Sequence, residues 1–218
     1  MKNKRTYYHL IIDRSGSMSG FIEETVNAVN QQIGRIKEVG ERFPEQELIT
    51  SLTLFNHTNT NAWNYLKPGQ LRDMNYADYR PNGNTALLDA LGITVNELKK
   101  TVGLEVDNDE ASVVVVLITD GYENASQHYT HKEVASMISE LELTGKWTFS
   151  YLGATLDAVD DARRLNIKEI NSMHYHINKI PELYNKISLS MDYYMYSKQE
   201  GEIKKNFLCP ENDDKDEV

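Results

Sequence analysis

The sequence predicts an α/β protein: a doubly wound, mostly parallel central sheet with helices on both faces and one short antiparallel edge strand. Three observations lead there. Apolar, β-branched or aromatic runs at Tyr7–Ile12, Val113–Thr119 and Trp147–Leu152 read as strands buried on both faces. Amphipathic helical stretches alternate with the strands, the pattern of a parallel sheet covered on both sides. Polar clusters stand directly after two of the strands, at the sheet edge where open α/β folds place their sites.

The elements follow in order. Tyr7–Ile12 ends at Asp13, and a helix follows in which Ile22, Val26, Val29, Ile33 and Ile36 recur at intervals of four and three, until Gly40 and Pro44 close it. Leu48–Phe55 is a second strand with imperfect alternation, and Thr58–Leu66 is a short edge strand after a turn at Asn56-His57. Leu71–Asn84 has Tyr76, Tyr79, Pro81 and Gly83 and reads as an ordered loop. A helix from Thr85 carries Leu88, Leu91, Val95, Leu98 and Val102 on one stripe and ends at Gly103, leaving Glu105–Glu110 as a solvated acidic loop. After the central strand Val113–Thr119, Thr130 and Glu133 form a capping box ahead of Val134, Met137, Ile138 and Leu141. Trp147–Leu152 is the next strand, Thr155 caps a short helix through Leu165, and Met173–Ile177 is a weak last strand. Pro181 opens a terminal helix with Leu183, Ile187 and Met191. One domain spans residues 6–197, and residues 198–218 form a polar, acidic, disordered tail.

Composition excludes several functions. The 218 residues hold 23 basic and 33 acidic side chains, a net charge of −10, without a long basic run, so a nucleic-acid backbone is a poor partner. Cys209 is the only cysteine, which rules out an internal disulfide and a cysteine-based zinc site. The apolar stretch behind Met1–Arg5 is too short for a secretory signal, and Val113–Ile118 cannot span a bilayer. The expectation is a cytoplasmic chain that does not bind membranes.

Chemistry concentrates in three places. Asp13-Arg14-Ser15-Gly16-Ser17 follows the first strand, Gly83-Asn84-Thr85 opens the second helix, and Thr119-Asp120-Gly121 follows the most buried strand. Asp13, Ser15 and Ser17 alternate through a tight turn, so their oxygens can point the same way, with Gly16 freeing the backbone. Together with Thr85 and Asp120 they offer two carboxylates and three hydroxyls. That is hard-oxygen chemistry suited to Mg²⁺, with Mn²⁺ also acceptable, and it leaves an open position for an outside carboxylate. Taken singly, Thr85 is an ordinary helix cap and Asp120-Gly121 an ordinary turn.

Asp13-x-Ser15-x-Ser17 within LIIDRSGSM, Thr85 within PNGNTALLDAL and Asp120 within VVLITDGYEN resemble the motifs of the von Willebrand factor A-type (vWA) domains with a metal-ion-dependent adhesion site. The resemblance covers about residues 6–178. It implies that the two serines ligate the ion directly, that Thr85, Asp13 and Asp120 do so directly or through water, and that a partner protein supplies a Glu or Asp. It also implies an adaptor role like that of intracellular bacterial-type members, beside an AAA+ ATPase or a kinase and phosphatase system. Arg14, Asn84, Tyr122, Glu123 and Asn124 would line the partner surface.

Two other classes compete with a binding module. A metal-dependent hydrolase or phosphotransferase would use Asp13 and Asp120. Against it, no aspartate stands two residues after Asp13, no G-x-S-x-G elbow is present, and no histidine is placed for acid–base work. A purely structural vWA domain without metal is the other, and the complete ligand set argues against decay. His174 and His176 share a face without a third ligand, and Tyr193, Tyr194 and Tyr196 read as packing residues near the terminal helix.

Overall fold

Strand β1 (Arg5–Asp13) is buried along nearly its whole length because strands flank it on both sides and helices cover both faces. The structure, a computed structural model, describes residues 4–208. Its sheet has the order β3-β2-β1-β4-β5-β6, with β2 (Glu47–Phe55), β3 (Asn59–Leu66), β4 (Ala111–Thr119), β5 (Trp147–Gly153) and β6 (Ser172–His174). All neighbours run parallel except β2 and β3, which form the antiparallel edge. The chain leaves β1 toward β2 on one side and returns to β4 on the other, so the switch point lies between the carboxyl ends of β1 and β4. Register places Ile12 beside Ile118, which brings Asp13 and Thr119 together at that point.

Period-two alternation divides the core. Tyr8, Leu10, Ile12, Val114, Val116 and Ile118 face α1 (Ile22–Arg42) and α5 (Ile180–Gln199). Tyr7, Ile11, Val113, Val115 and Leu117 face α2 (Leu87–Asp107), α3 (His131–Leu143) and α4 (Ala158–Arg164). A sheet covered this way buries both sets, which explains the unbroken apolar β4. Thr130 caps α3 reciprocally with Glu133, as its sequence predicts.

The structure corrects several boundaries. α1 runs past Gly40 to Arg42. α2 runs through Gly103 to Asp107, because buried Val106 continues the stripe of Leu98 and Val102 while Gly103 sits in the helix with open space beside it. Glu105, expected in a solvated loop, is therefore helical, pairs with Arg5 and accepts the Tyr7 hydroxyl at 2.8 Å. β6 is shorter than Met173–Ile177, since Ile177–Lys179 turns into a 3₁₀ segment.

The packed chain also continues beyond residue 197. Lys198 is buried and donates through Nζ to Arg5 O, Thr6 Oγ1 and Ser112 Oγ at 2.6–2.9 Å. Phe207 is buried against Tyr8 and Tyr194, with ring centroids 5.9 and 6.2 Å away, and Leu208 is buried beside it. Cys209 and the acidic residues Glu211–Val218 lie outside the described residues. Tyr194 and Met195 belong to α5 and are fully buried, whereas Tyr196 faces outward. Among the described residues, no helix is long and apolar enough to cross a membrane.

Candidate metal centre

Asp13 closes β1 with its side chain almost wholly removed from solvent (1% exposed). Its Oδ1 accepts the Ser15 backbone N–H at 2.7 Å and its Oδ2 accepts the Thr119 hydroxyl at 2.6 Å. Burial pushes the Asp13 pKa up to about 6, with Asp120 adding to the rise and the Thr119 and Ser15 hydrogen bonds opposing it.

The chain then turns into a 3₁₀ helix, Gly16–Phe21, with Ser15 extended at its N-cap. Gly16 approaches the loop before α2 closely. Its N–H donates to Gly83 O at 2.9 Å, and a Cβ on Gly16 would lie 3.3 Å from that same oxygen. Gly83 itself has φ +68°, which suits glycine. These two glycines join the first and second motif loops.

The hydroxyls line up between the two aspartates. Ser15 Oγ lies 3.0 Å from Ser17 Oγ, and Ser17 donates to Asp120 Oδ1 at 2.7 Å. Burial raises the Asp120 pKa, opposed by the Ser17 bond. Thr85 is buried, and Asn124 holds its backbone from both sides: Thr85 N–H donates to Asn124 Oδ1 at 2.9 Å and Asn124 N–H to Thr85 O at 3.0 Å. A Cβ on Gly121 would lie 3.0 Å from Thr85 Oγ1 and 3.8 Å from Ser17 Oγ, so both hydroxyls face the Asp120-Gly121 turn. Thus Asp13, Ser15, Ser17, Thr85 and Asp120, scattered along the sequence, converge at the switch point.

The donor chemistry fits a hard divalent cation. All five side chains offer oxygen. Among the described residues no three His, Cys, Asp or Glu side chains cluster, so a nitrogen–sulfur site is not built.

The flanking residues behave less uniformly. Arg14 reaches away from the aspartates and donates to Thr60 Oγ1 on β3 at 2.8 Å. Glu123 is half-buried, and its carboxylate accepts from Ala125 N, Ser126 N, Ser126 Oγ and Leu88 N at 2.7–2.9 Å, capping its own loop and the start of α2. Tyr122 is exposed and donates to Asp157 Oδ2 at 3.2 Å, next to Leu156, which is 89% exposed. Asn84 and Asn124 are exposed and line a polar cavity of ≈ 580 Å³ with His57 and His128.

Four further residues, Thr119, Asp89, Tyr79 and Tyr175, support the site in ways that sequence pattern does not spell out. Thr119 stands in sequence beside Asp120 and Gly121, but that its hydroxyl holds Asp13 Oδ2 is visible only in the structure. Asp89, an acid within the apolar run Leu87–Leu91, accepts the backbone N–H groups of Gln127, His128 and Tyr129 at 2.8–2.9 Å and ties their loop to α2. That misfit of charge and pattern is the available signal. Tyr79 and Tyr175, buried and aromatic, carry no signal distinct from core packing.

The sheet order, the antiparallel edge and the site at the switch point define a vWA fold. Solved structures bear this out. Proximal thread matrix protein 1 of the mussel byssus, with a zinc-occupied MIDAS motif, shares 16% identity over 88% of this chain and 47% of that chain, with a TM-score of 0.57. The ArnB paralog VWA2 from Sulfolobus acidocaldarius shares 17% identity over 84% of this chain and 44% of that one, with a TM-score of 0.55. The manganese-loaded TRAP protein of Plasmodium vivax shares 16% identity over 84% and 73%, with a TM-score of 0.54. The chain spans just under half the length of the first two. No protein-family model matches the sequence, and no curated protein matches it.

Proposed function

We propose that this chain is a non-enzymatic, divalent-metal-dependent protein-binding module. Asp13, Ser15, Ser17, Thr85 and Asp120 hold Mg²⁺, with Mn²⁺ able to replace it, and a Glu or Asp of a partner protein completes the coordination. The observation that carries the reading is the convergence of two carboxylates and three hydroxyls from three loops. Two neighbouring carboxylates, one buried and one half-buried, are costly unless a cation neutralises them. Zinc and manganese in the named structures of the same fold support a divalent ion here. The oxygen-only donor set favours Mg²⁺ or Mn²⁺ over Zn²⁺.

The ion supplies positive charge that an incoming carboxylate can neutralise. Exposed Tyr122 and Leu156, on the loops that follow β4 and β5, offer apolar contact, and Asn84 and Asn124 offer hydrogen bonds. Against phosphoryl transfer, no aspartate stands two residues after Asp13 and no histidine is placed for acid–base work. The partner class we favour is a component of an AAA+ ATPase or kinase and phosphatase system in the cytoplasm.

Retention of a partner by the immobilised chain tests the reading. We expect retention in Mg²⁺ that is lost in EDTA and lost again in Ser17→Ala. Equal retention in all three conditions would contradict it.

A further inference from the structure

Two buried tyrosine hydroxyls reach the backbone of the two strand ends that carry the site. Tyr79, in the loop between β3 and α2, donates to Asp13 O at 2.6 Å. Tyr175, just after β6, donates to Thr119 O at 3.3 Å, and its own N–H donates to Gly153 O at the end of β5. Both rings sit in the core layer covered by α1 and α5, on one side of the sheet. Thr119 Oγ1 in turn holds Asp13 Oδ2, and Asp120 is the next residue. The two hydroxyls therefore bracket the joint between β1 and β4 from beneath.

We propose that Tyr79 and Tyr175 are positioning residues for the ion, fixing the carbonyls of Asp13 and Thr119 so that the two aspartates stand in place before the ion arrives. The inference rests on the metal-binding reading above. Mg²⁺ demands near-octahedral oxygen geometry, so a strand end free to shift weakens it even when every ligand is present. Burial alone does not account for the arrangement. Tyr8 and Tyr184 lie in the same layer with buried hydroxyls, yet theirs have no hydrogen-bond partner among the described residues. Tyr79 and Tyr175 instead come from loops outside the strands and reach across to the strand ends.

The four tyrosines supply both test and control. Mg²⁺ and Mn²⁺ are titrated calorimetrically into wild type, Tyr79→Phe, Tyr175→Phe, Tyr8→Phe and Tyr184→Phe, and each metal-free protein is melted. Tyr79→Phe and Tyr175→Phe are expected to raise the Kd about five-fold each, the effect of one neutral hydrogen bond, while Tyr8→Phe and Tyr184→Phe keep the wild-type Kd. A lowered melting temperature with an unchanged Kd in Tyr79→Phe and Tyr175→Phe would overturn the inference and leave the metal site standing. Equal weakening in all four variants would also overturn it. Wild type that binds neither ion would sink the metal reading and this inference with it. Should Tyr175→Phe fail to fold, Tyr79→Phe carries the same outcomes.

Discussion

Asp13 holds a carboxylate where little water reaches it, and two hydrogen bonds, from Ser15 N–H and the Thr119 hydroxyl, offset part of the desolvation. Thr119→Val keeps the shape of the strand end and removes one of them. Leaving that oxygen unpartnered is expected to cost about 1–3 kcal/mol of metal-free stability and to weaken the ion, seen as a lower melting temperature and a higher Mg²⁺ Kd. A variant indistinguishable from wild type would show that the bond does not support the site. The five candidate ligands are legible in the sequence because short polar side chains stand directly after apolar strands and at a helix start. Their supports are less legible. Glu123 looks like a surface acid, but free N–H groups at the start of α2 and in its own loop draw its carboxylate inward. Thr119, Tyr79 and Tyr175 act through one hydroxyl each on side chains that also suit a buried strand or core, so pattern alone does not separate the two roles.

At the scale of elements, periodicity locates the helices and strands, while glycine misleads about where they end. Gly103 reads as a helix stop, yet α2 continues through it because Val106 supplies the next buried contact. A glycine inside a helix leaves conformational entropy in the unfolded chain, and a Cβ at Gly103 would meet no neighbour. Gly103→Ala is therefore expected to stabilise the protein by about 0.5–1 kcal/mol, read as a higher melting temperature. A loss of stability would mean that the helix breaks there after all. Gly83 is the opposite case: its φ is +68°, and a Cβ there would lie 2.2 Å from the His57 ring, so glycine is necessary. The crossover that creates the switch point is legible only as a fold class. Strand order depends on contacts between residues far apart in sequence, such as Ile12 with Ile118.

For the whole molecule, two buried bases contribute to the response to pH. Burial pushes the His9 pKa down to about 3 and that of Lys198 down to about 7. Unfolded, they titrate at about 6.5 and about 10.4. Between the folded and unfolded values the unfolded chain binds more protons, so stability rises with pH across each window. His9 thus favours the folded state above about pH 6.5 and loses that contribution as pH falls toward about 3. Asp13, with its raised pKa, acts in the opposite sense, so the comparison is wild type against His9→Gln. We expect the difference in melting temperature between them to shrink in favour of the variant as pH falls from 6.5 to 4; a difference independent of pH would contradict a neutral, buried His9. The terminal segment departs furthest from its sequence pattern at this scale: the polar composition of residues 198–218 suggests a disordered tail, but Ile203 packs against the core and Phe207 returns to Tyr8 and Tyr194. Function turns on whether the converged oxygens bind an ion. Calorimetric titration of Mg²⁺ and Mn²⁺ into wild type and Asp13→Ala, both without the acidic Glu211–Val218 segment, tests that directly. One saturable site in wild type that vanishes in Asp13→Ala is the expected result, and heats that do not differ between the two proteins would contradict it.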